Sequence, residues 1–545
     1  MSKNPEKRFT RAERSWIMYD WAYSVYSTNI MAAIFPIYFA SVCRGAGVQG
    51  DYWWGIGTSI ATAVIAILAP LLGALGDYKG MKKKLFGVFL VIGLGFTGYM
   101  AFTDDWKGML IGYILSYIGY AGTELFYDSF LTDVTSSKRM DRVSSWGYAM
   151  GYIGGSTIPF LISIGVLVVL GMSNPLGAKA AVLITCVWWL IFSLPILRNV
   201  KQQHYIQEKG SFASVFKNVG RTLKGVVKTK SIFVFMLAYF FYIDGVNTVI
   251  HMATAYGTTL GLDSVGMILA LVVTQIVAVP FSILFSSISK KIGSMRLITI
   301  AVCIYCVICG VGFYMGFSLE PYQADYQAKL ETSISEAAAQ SLPSFSSNRS
   351  SALFAEIING DGEEIRGLKV EAVALLPEEN RAELASKLMT GEGGYIERYT
   401  PEFEQISKGD AAKFKTAMED IDKTVSSFLK DKDRSAPYEN ALQFSFILFW
   451  AMAVLVGTVQ GGIQAISRAH FSKLVPKERS NEYFGVYDIF GKFACIIGPL
   501  LYSLFSGLTG RPSIGILSVI ILFAVSLIII IIGHKYLQNP VGEAE

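Results

Sequence analysis

The chain has 545 residues, of which 52% are hydrophobic and only 16% are charged, well below the roughly 25% charged residues of soluble domains. Its mean hydropathy is +0.44 and its formal net charge at pH 7 is +5. Apolar runs of about 20 residues recur along it, long enough to cross a hydrocarbon core of roughly 30 Å. Because a bilayer offers no water to backbone groups, each run should be a helix. This composition excludes an ordinary soluble protein and predicts an all-α polytopic membrane protein.

Twelve such runs follow one another and predict twelve transmembrane helices in two six-helix bundles. They lie near 16–42, 53–76, 85–103, 107–131, 146–170, 179–197, 232–256, 264–287, 296–317, 441–465, 484–506 and 514–534. The predicted N-terminal bundle covers 1–197, a basic cytoplasmic linker covers 198–231, and the C-terminal bundle covers 232–317 and 439–536. The remaining segment, 318–438, is predicted to be an extracytoplasmic insertion between the ninth and tenth helices.

Basic residues are concentrated in the loops on one side of the predicted membrane. These loops contain Lys79, Lys82, Lys83, Lys84, Lys138, Arg139, Arg142, eight Lys and Arg from Arg198 to Lys230, Lys290, Lys291, Arg296, Arg468, Lys473, Lys477 and Arg479. The opposite short loops offer only Arg44, Lys107, Lys179 and Arg511. Because cytoplasmic loops carry the excess of lysine and arginine, we predict a plasma (inner) membrane protein with both termini in the cytoplasm. The positive charge then reflects topology and anionic lipid, and no nucleic-acid partner is expected.

A short basic loop connects the second and third runs, with the sequence Gly73-Ala-Leu-Gly-Asp77-Tyr-Lys-Gly80-Met-Lys82-Lys83-Lys. Here a carboxylate ends one helix, a glycine makes a tight turn, and the lysines cannot enter lipid. The loop between the eighth and ninth runs keeps a glycine, Gly293, but has Lys290 in place of Asp77. We therefore predict that the two halves are repeats. The first loop also resembles the signature loop of major facilitator superfamily transporters, which implies that it is part of a cytoplasmic gate. The predicted gate residues are Gly73, Asp77, Gly80, Lys82, Lys83 and Arg468.

Two segments outside the membrane show apolar residues at helical spacing. In the linker these are Phe212, Val215, Phe216, Val219 and Leu223, and they favour either an amphipathic helix on the membrane surface or a solvated connector. In the insertion they are Phe414, Met418, Ile421, Val425 and Phe428. The insertion carries 22 Asp and Glu against 14 Lys and Arg, so we predict a small acidic helical cap.

Polar residues are concentrated in the first, fourth, seventh and tenth runs, whereas the third, sixth, ninth and twelfth are nearly featureless. In the fourth run they step by three or four residues from Tyr113 to Asp128 and so share one helix face. This distribution predicts a water-accessible cavity between the two halves. Its predicted lining residues are Asp20, Tyr117, Tyr120, Glu124, Asp128, Asp244, Asn247, His251 and Gln464.

Ionisable groups inside a membrane are costly and often mark ion pathways or proton relays. Two carboxylates one helical turn apart, such as Glu124 and Asp128, disfavour double ionisation, so one can carry a proton. Proton coupling is therefore predicted at Glu124, Asp128 or Asp244, with H⁺ favoured over Na⁺. Simpler interpretations are hydration of Asp128 at the interface and ordinary hydrogen bonding of His251. Asp488 and Lys492, four residues apart, are predicted to form a structural ion pair.

No metal site, other cofactor or enzyme activity is predicted. Cys303, Cys306 and Cys309 have the spacing of metal ligands, but they lie inside the ninth apolar run with no fourth ligand nearby, which favours packing. The chain has only four histidines, and none belongs to a metal or nucleophile motif.

The first basic loop resembles the signature loop of major facilitator superfamily transporters. Other motifs resemble the vacuole-effluxer branch, which includes autophagy-related fungal vacuolar amino-acid exporters and bacterial relatives. They are Gly461-Gly-Ile-Gln-Ala-Ile-Ser-Arg468, Leu474-Val-Pro476, Tyr483-Phe-Gly-Val-Tyr-Asp488, Gly491-Lys492, Tyr19-Asp20-Trp21-Ala22 and Asp244-Gly245-Val246. The resemblance implies a secondary carrier with amino acids as the leading substrate class. This chain has Tyr23 and Ile243 where the family commonly has Asn, which leaves the substrate open.

These observations predict a monomeric carrier that moves a small polar solute across the bilayer by alternating access. The alternatives within transport are a permease for sugars or peptidoglycan fragments and a drug exporter. An alternative of another class is a membrane sensor that binds its ligand through the external insertion.

Overall fold

The computed structural model describes residues 8–171, 174–207, 220–222, 224–340, 344–352 and 407–537. Within these residues the chain is almost entirely helical, which confirms the predicted all-α fold class. The long helices are α1 Arg11–Gly45, α2 Gly50–Gly76, α3 Met81–Phe102, α4 Trp106–Ser129, α5 Met140–Leu170, α6 Pro175–Asn199, α7 Lys230–Thr259, α8 Ser264–Ile292, α9 Ser294–Gln340, α10 Lys432–Leu474, α11 in two parts, Ser480–Phe493 and Ile497–Thr509, and α12 Pro512–Leu537.

Eleven helices in the described ranges are long and apolar enough to cross a membrane, one fewer than the twelve predicted. The helix missing from that set is α4, although its 24 residues are sufficient in length. Its polar stripe, which ends in Glu124 and Asp128, makes it less apolar than the others. Neighbouring helices compensate, because α4 packs against α2, α3 and α11.

The two halves use the same packing scheme. In the N-terminal half α1 packs on α6 and α3 on α4, and in the C-terminal half α7 packs on α12 and α9 on α10. The halves meet where α2 contacts α11 and where α5 contacts α8 and α10. Helices from both halves therefore form the interface between the bundles.

Helices α1 and α5 each contain a π-helical turn, at Ser27–Ala33 and Gly151–Thr157. The two helices pack closely at this level: a Cβ on Gly154 would lie 1.8 Å from the Trp21 ring, and one on Gly155 would lie 2.3 Å from the Ser24 Cβ. Only glycine allows this approach. Such π-helical turns occur frequently at functional sites. One of these two lies in α1, the helix that carries the predicted site residue Asp20, and the other lies in α5, which packs against α1.

Two very long helices, α9 and α10, continue beyond the predicted spans into the segment predicted to be an insertion. The 47 residues of α9 extend about 70 Å at 1.5 Å per residue, more than twice a hydrocarbon core of roughly 30 Å. A further helix, Lys408–Lys430, packs on α9 and α10, where Tyr326 contacts the rings of Phe428 and Tyr438 at 5.2 and 5.5 Å. The side chains of Phe414, Met418, Ile421 and Val425, and the linker residues 212–219 and 223, lie outside the described residues.

Candidate functional site between the bundles

A buried arginine from the C-terminal half joins two carboxylates of the N-terminal half. Arg468 of α10 donates from Nη1 to Asp128 of α4 at 2.9 Å and from Nη2 to Asp20 of α1 at 3.2 Å. Its Nε donates to the Ser144 hydroxyl of α5 at 3.0 Å. Arg468 is only 2% exposed. These residues, Asp20, Asp128 and Arg468, are called the arginine cluster.

Aromatic rings enclose the arginine cluster. The guanidinium carbon of Arg468 lies 4.7, 5.3 and 4.5 Å from the ring centroids of Trp16, Tyr127 and Tyr148. The Tyr127 hydroxyl donates to Asp20 at 2.5 Å. Because cation–π attraction and hydrogen bonds between charged groups are strengthened when water is excluded, this enclosure fixes the guanidinium in one position.

A second cluster, here called the lysine cluster, consists of Lys492, Asp488 and Glu124. Lys492 pairs with Asp488 one turn away on α11, as predicted from their spacing. It also lies 3.8 Å from Oε2 of Glu124 on α4, and the Tyr23 hydroxyl donates to the same carboxylate at 3.4 Å. The Glu124 side chain is 32% exposed, compared with 15% for Asp488. Glu124 is therefore the carboxylate of this cluster that solvent and solutes reach most easily.

The predicted tyrosines of α4 are packed within the N-terminal half. Tyr120 stacks on Tyr26 with ring centroids 4.6 Å apart, and both Tyr117 and Tyr120 are 8% exposed. Gln464, predicted from α10, is half-buried. Most of each of these two tyrosine side chains is therefore inaccessible to a solute.

Two of the polar residues predicted on α7, Asp244 and Asn247, contact α11. In the described part of the chain neither forms a hydrogen bond or ion pair with either cluster. Asp244 is fully buried and accepts a hydrogen bond from the Gly498 N–H at 3.0 Å, at the start of the second part of α11. The Asn247 amide donates to the Cys495 sulfur at 3.3 Å. His251 is exposed. Asp244 thus occupies a different environment from Glu124 and Asp128.

The predicted gate loop joins the two halves through Asp77. Asp77 Oδ1 accepts hydrogen bonds from the Asn481 backbone N–H at 3.0 Å and from its side-chain amide at 2.8 Å, and Oδ2 accepts from the Glu482 N–H at 3.1 Å. The carboxylate therefore caps the N-terminus of α11, where the helix dipole favours negative charge. Burial raises the pKa of Asp77 to about 7, against the opposing effects of Lys82 and these donors.

The lysines of the gate loop bind neighbouring groups. Lys82 is fully buried and pairs with Asp133 at 2.6 Å, and it also donates to the Ser480 hydroxyl at 3.2 Å. Burial opposes ionisation of Asp133, but Lys82 and the hydrogen bonds from His204 lower its pKa below the usual value. Lys83 donates to the Val200 carbonyl at 2.9 Å. The turn itself has Gly80 at φ +74°, a conformation that favours glycine.

The corresponding contact of the loop between α8 and α9 uses a carboxylate of α5 that the sequence analysis did not predict. Asp141 of α5 accepts hydrogen bonds from Lys473 at 2.5 Å, from Ser289 at 2.6 Å and from Ser294 at 3.1 Å. Asp141 is the second residue of α5, as Asn481 is the second residue of α11. Here the carboxylate lies on the helix and the hydroxyls lie beside the loop, so this loop contacts the other half without an aspartate at position 290.

Gly73 gives a direct test of the α2–α11 contact. A Cβ at this position would lie 2.4 Å from the Asn481 carbonyl oxygen, which is backbone and cannot rotate away. We expect Gly73→Ala to destabilise this contact by about 1–3 kcal/mol, as overpacking usually does. Hydrogen–deuterium exchange at the start of α11 should become faster. Gly55→Ala on the same helix is the control, because a Cβ there meets nothing within 4 Å, and equal protection in both variants would contradict the expectation.

The fold and the charged groups between its halves define a class of protein, the membrane transporters of the major facilitator type. Solved transporters share this fold: the human organic anion transporter MFSD10 matches with a TM-score of 0.55 at 11% identity, over 97% of this chain and 100% of that one. The Escherichia coli fucose:proton symporter FucP matches with a TM-score of 0.53 at 11% identity, over 97% and 98% of the two chains.

The family is shown by sequence. The model of the family described as "Vacuole effluxer Atg22 like" matches residues 132–358 and 446–534, and the chain belongs to this family. An uncharacterized MFS-type transporter of Bacillus subtilis (strain 168), YxiO, is 32% identical over 99% of this chain and 98% of its own length. Autophagy-related protein 22-1 of Emericella nidulans is 26% identical over 32% of each chain. The predicted family is confirmed, and these relatives are transporters rather than enzymes.

Proposed function

We propose that this protein is a secondary active transporter that moves a small polar solute, with amino acids as the leading class, by alternating access. The observation that carries the proposal is the pairing of Arg468 and Lys492, both from the C-terminal half, with carboxylates of the N-terminal half. Such charge pairs change partners whenever the two bundles rotate relative to each other. They therefore couple the occupancy of the cavity to the arrangement of the halves.

The recorded contacts between the halves support one particular state of the cycle. Asp77 binds the start of α11, Asp141 binds the α8–α9 connection, and Ser144 donates to the Ala465 carbonyl at 2.8 Å. These contacts lie toward the ends of the helices that carry the basic loops. With those loops in the cytoplasm, the protein is closed toward the cytoplasm in this state, and both termini are cytoplasmic.

The charge balance of the two clusters supports proton coupling. Each cluster contains two carboxylates and one basic side chain, so each carries one excess negative charge when fully ionised. Because uncompensated charge inside a membrane is costly, each cluster favours binding a proton or a cationic group. Glu124 and Asp128 are the proposed proton carriers, and the ammonium and carboxylate of an amino acid would complement Glu124 and Lys492.

The transport proposal is tested by reconstituting the purified protein in liposomes with an imposed pH gradient. A panel of labelled amino acids should include at least one that accumulates in response to the gradient, and a proton ionophore should abolish its accumulation. Liposomes without protein provide the background. If no amino acid moves while sugars or drugs do, the substrate class is wrong; if no solute moves, the transporter proposal itself is wrong.

A further inference from the structure

Asp244 differs from the other carboxylates in the interior of the membrane helices. Asp20 and Asp128 pair with Arg468, and Glu124 and Asp488 pair with Lys492. In the described part of the chain, no basic side chain lies within 4.0 Å of Asp244. No described basic side chain therefore balances its charge, and the group that faces it is the N-terminus of the second part of α11.

One oxygen of Asp244 has a partner and the other does not. Oδ1 accepts from the Gly498 N–H at 3.0 Å and from the Thr248 hydroxyl at 3.4 Å. Oδ2 is buried and has no hydrogen-bond partner among the described residues, and the residue as a whole is 0% exposed. A buried carboxylate oxygen without a donor or cation is strongly unfavourable, so this oxygen is expected to bind one.

The surroundings of Asp244 offer further oxygen ligands. The two parts of α11 are separated between Phe493 and Ile497, and the last carbonyls of a helix lack partners within that helix. Thr248 and Asn247 bring a hydroxyl and an amide from α7 to the same place, and Asn247 donates to Cys495 in the interruption. In other transporter folds, unwound backbone carbonyls at an interrupted membrane helix coordinate Na⁺. Here a carboxylate, a hydroxyl and an amide lie beside such an interruption.

The close approach of α7 and α11 also fits a built site. A Cβ on Gly498 would lie 1.8 Å from Thr248 Oγ1 and 3.0 Å from Asp244 Oδ1, so only glycine lets the helix start reach the carboxylate. Cys495, which contacts Asn247, is exposed.

We propose that Asp244, with Thr248, Asn247 and the interruption of α11, forms a Na⁺ site. A single carboxylate balances a single positive charge, which favours a monovalent ion. Moreover, the described residues contain no group of three or more His, Cys, Asp or Glu side chains that could together hold a metal ion. This proposal replaces the proton predicted for Asp244 by Na⁺, and it is independent of the proton carriers proposed on α4.

The test measures binding and not transport, so it is separate from the test of the proposed function. The thermal unfolding midpoint of the purified full-length protein is recorded at pH 8 while NaCl replaces choline chloride at constant ionic strength. Na⁺ should raise the midpoint in a saturable way, because a ligand bound only by the folded state stabilises it. KCl should have a much smaller effect.

Variants assign the effect to this site. Asp244→Asn keeps an oxygen for the Gly498 N–H and should lose the Na⁺ response, whereas Asp325→Asn on the exposed part of α9 should retain it. Thr248→Val keeps the carboxylate but removes the hydroxyl that donates to it. We expect the half-saturating Na⁺ concentration to rise about tenfold, which is the lower end of the loss in affinity seen when a group that orients a metal ligand is removed. If Asp244→Asn does not fold, Thr248→Val alone decides the question.

Three results would overturn the proposal. One is an unchanged Na⁺ response in Asp244→Asn or, where that variant does not fold, in Thr248→Val. Another is an equal response to Na⁺, K⁺ and choline, which would indicate a general salt effect. The last is a midpoint that depends on pH but not on Na⁺, which would assign a proton to Asp244.

Discussion

Replacing Arg468 by glutamine is expected to abolish transport and to lower the free energy of unfolding by about 3–5 kcal/mol, the usual result of removing one partner from a buried ion pair. The substitution leaves Asp20 and Asp128 without their shared cation in a site that is nearly closed to water. Both carboxylates must then bind protons or attract water into the interface. Chemical or thermal unfolding and uptake in liposomes measure the two effects.

Arg434→Gln is the matched control, because Arg434 also lies on α10 and pairs with an aspartate, Asp431, but is 53% exposed. Exposed pairs usually contribute about 0–1 kcal/mol, so this variant should resemble the wild type. The triple change Asp20→Asn, Asp128→Asn and Arg468→Gln should recover much of the stability and none of the transport. Normal transport by Arg468→Gln alone would show that the arginine cluster has no part in the cycle.

The second large effect is expected for Glu124→Gln, which should lose accumulation driven by a pH gradient while exchange of labelled for unlabelled substrate continues. Glutamine has nearly the shape of glutamic acid but cannot release a proton, so the variant resembles a permanently protonated carrier. Glu124 is the most accessible carboxylate of the two clusters, which makes it the best placed to exchange protons with water. Uptake and exchange in the same liposomes separate the two steps.

Glu336→Gln provides the comparison for this prediction, because Glu336 is an exposed residue of the insertion stem. It should leave both accumulation and exchange unchanged. If Glu124→Gln accumulates substrate as well as the wild type does, the proton is carried elsewhere. If it loses exchange as well as accumulation, Glu124 binds the substrate, and its role in coupling must be examined by other substitutions.

Much of the architecture could be predicted because it depends on local sequence. Apolar length predicts membrane helices, since a spanning backbone must satisfy its own hydrogen bonds. The three- and four-residue spacing on α4 placed Glu124 and Asp128 on one face, as the structure has them. The same polar stripe explains the difference between twelve predicted spans and eleven found by length and hydropathy, because a helix shielded by its neighbours does not need a fully apolar surface.

The partners of the charged groups could not be predicted in the same way. Arg468 was assigned to the gate from its position near the end of a run, and the structure places it 448 positions along the chain from Asp20, in the arginine cluster. Lys492 was expected to pair within its own helix and also faces Glu124. Asp141 is the second residue of α5. Apart from that position, nothing in the local sequence distinguishes it from other acidic residues near the loops.

The sequence by itself determined the membrane class, the order and faces of the helices, the basic loop between α2 and α3, and the family. It could do so because hydrophobic length, helical period and turn chemistry act over a few residues. Only the tertiary structure decided which carboxylates share a cation, and that no basic side chain among the described residues lies within 4.0 Å of Asp244. The physical reason is that periodicity fixes the direction in which a side chain leaves its own helix, whereas the charge it meets depends on how separate helices pack together.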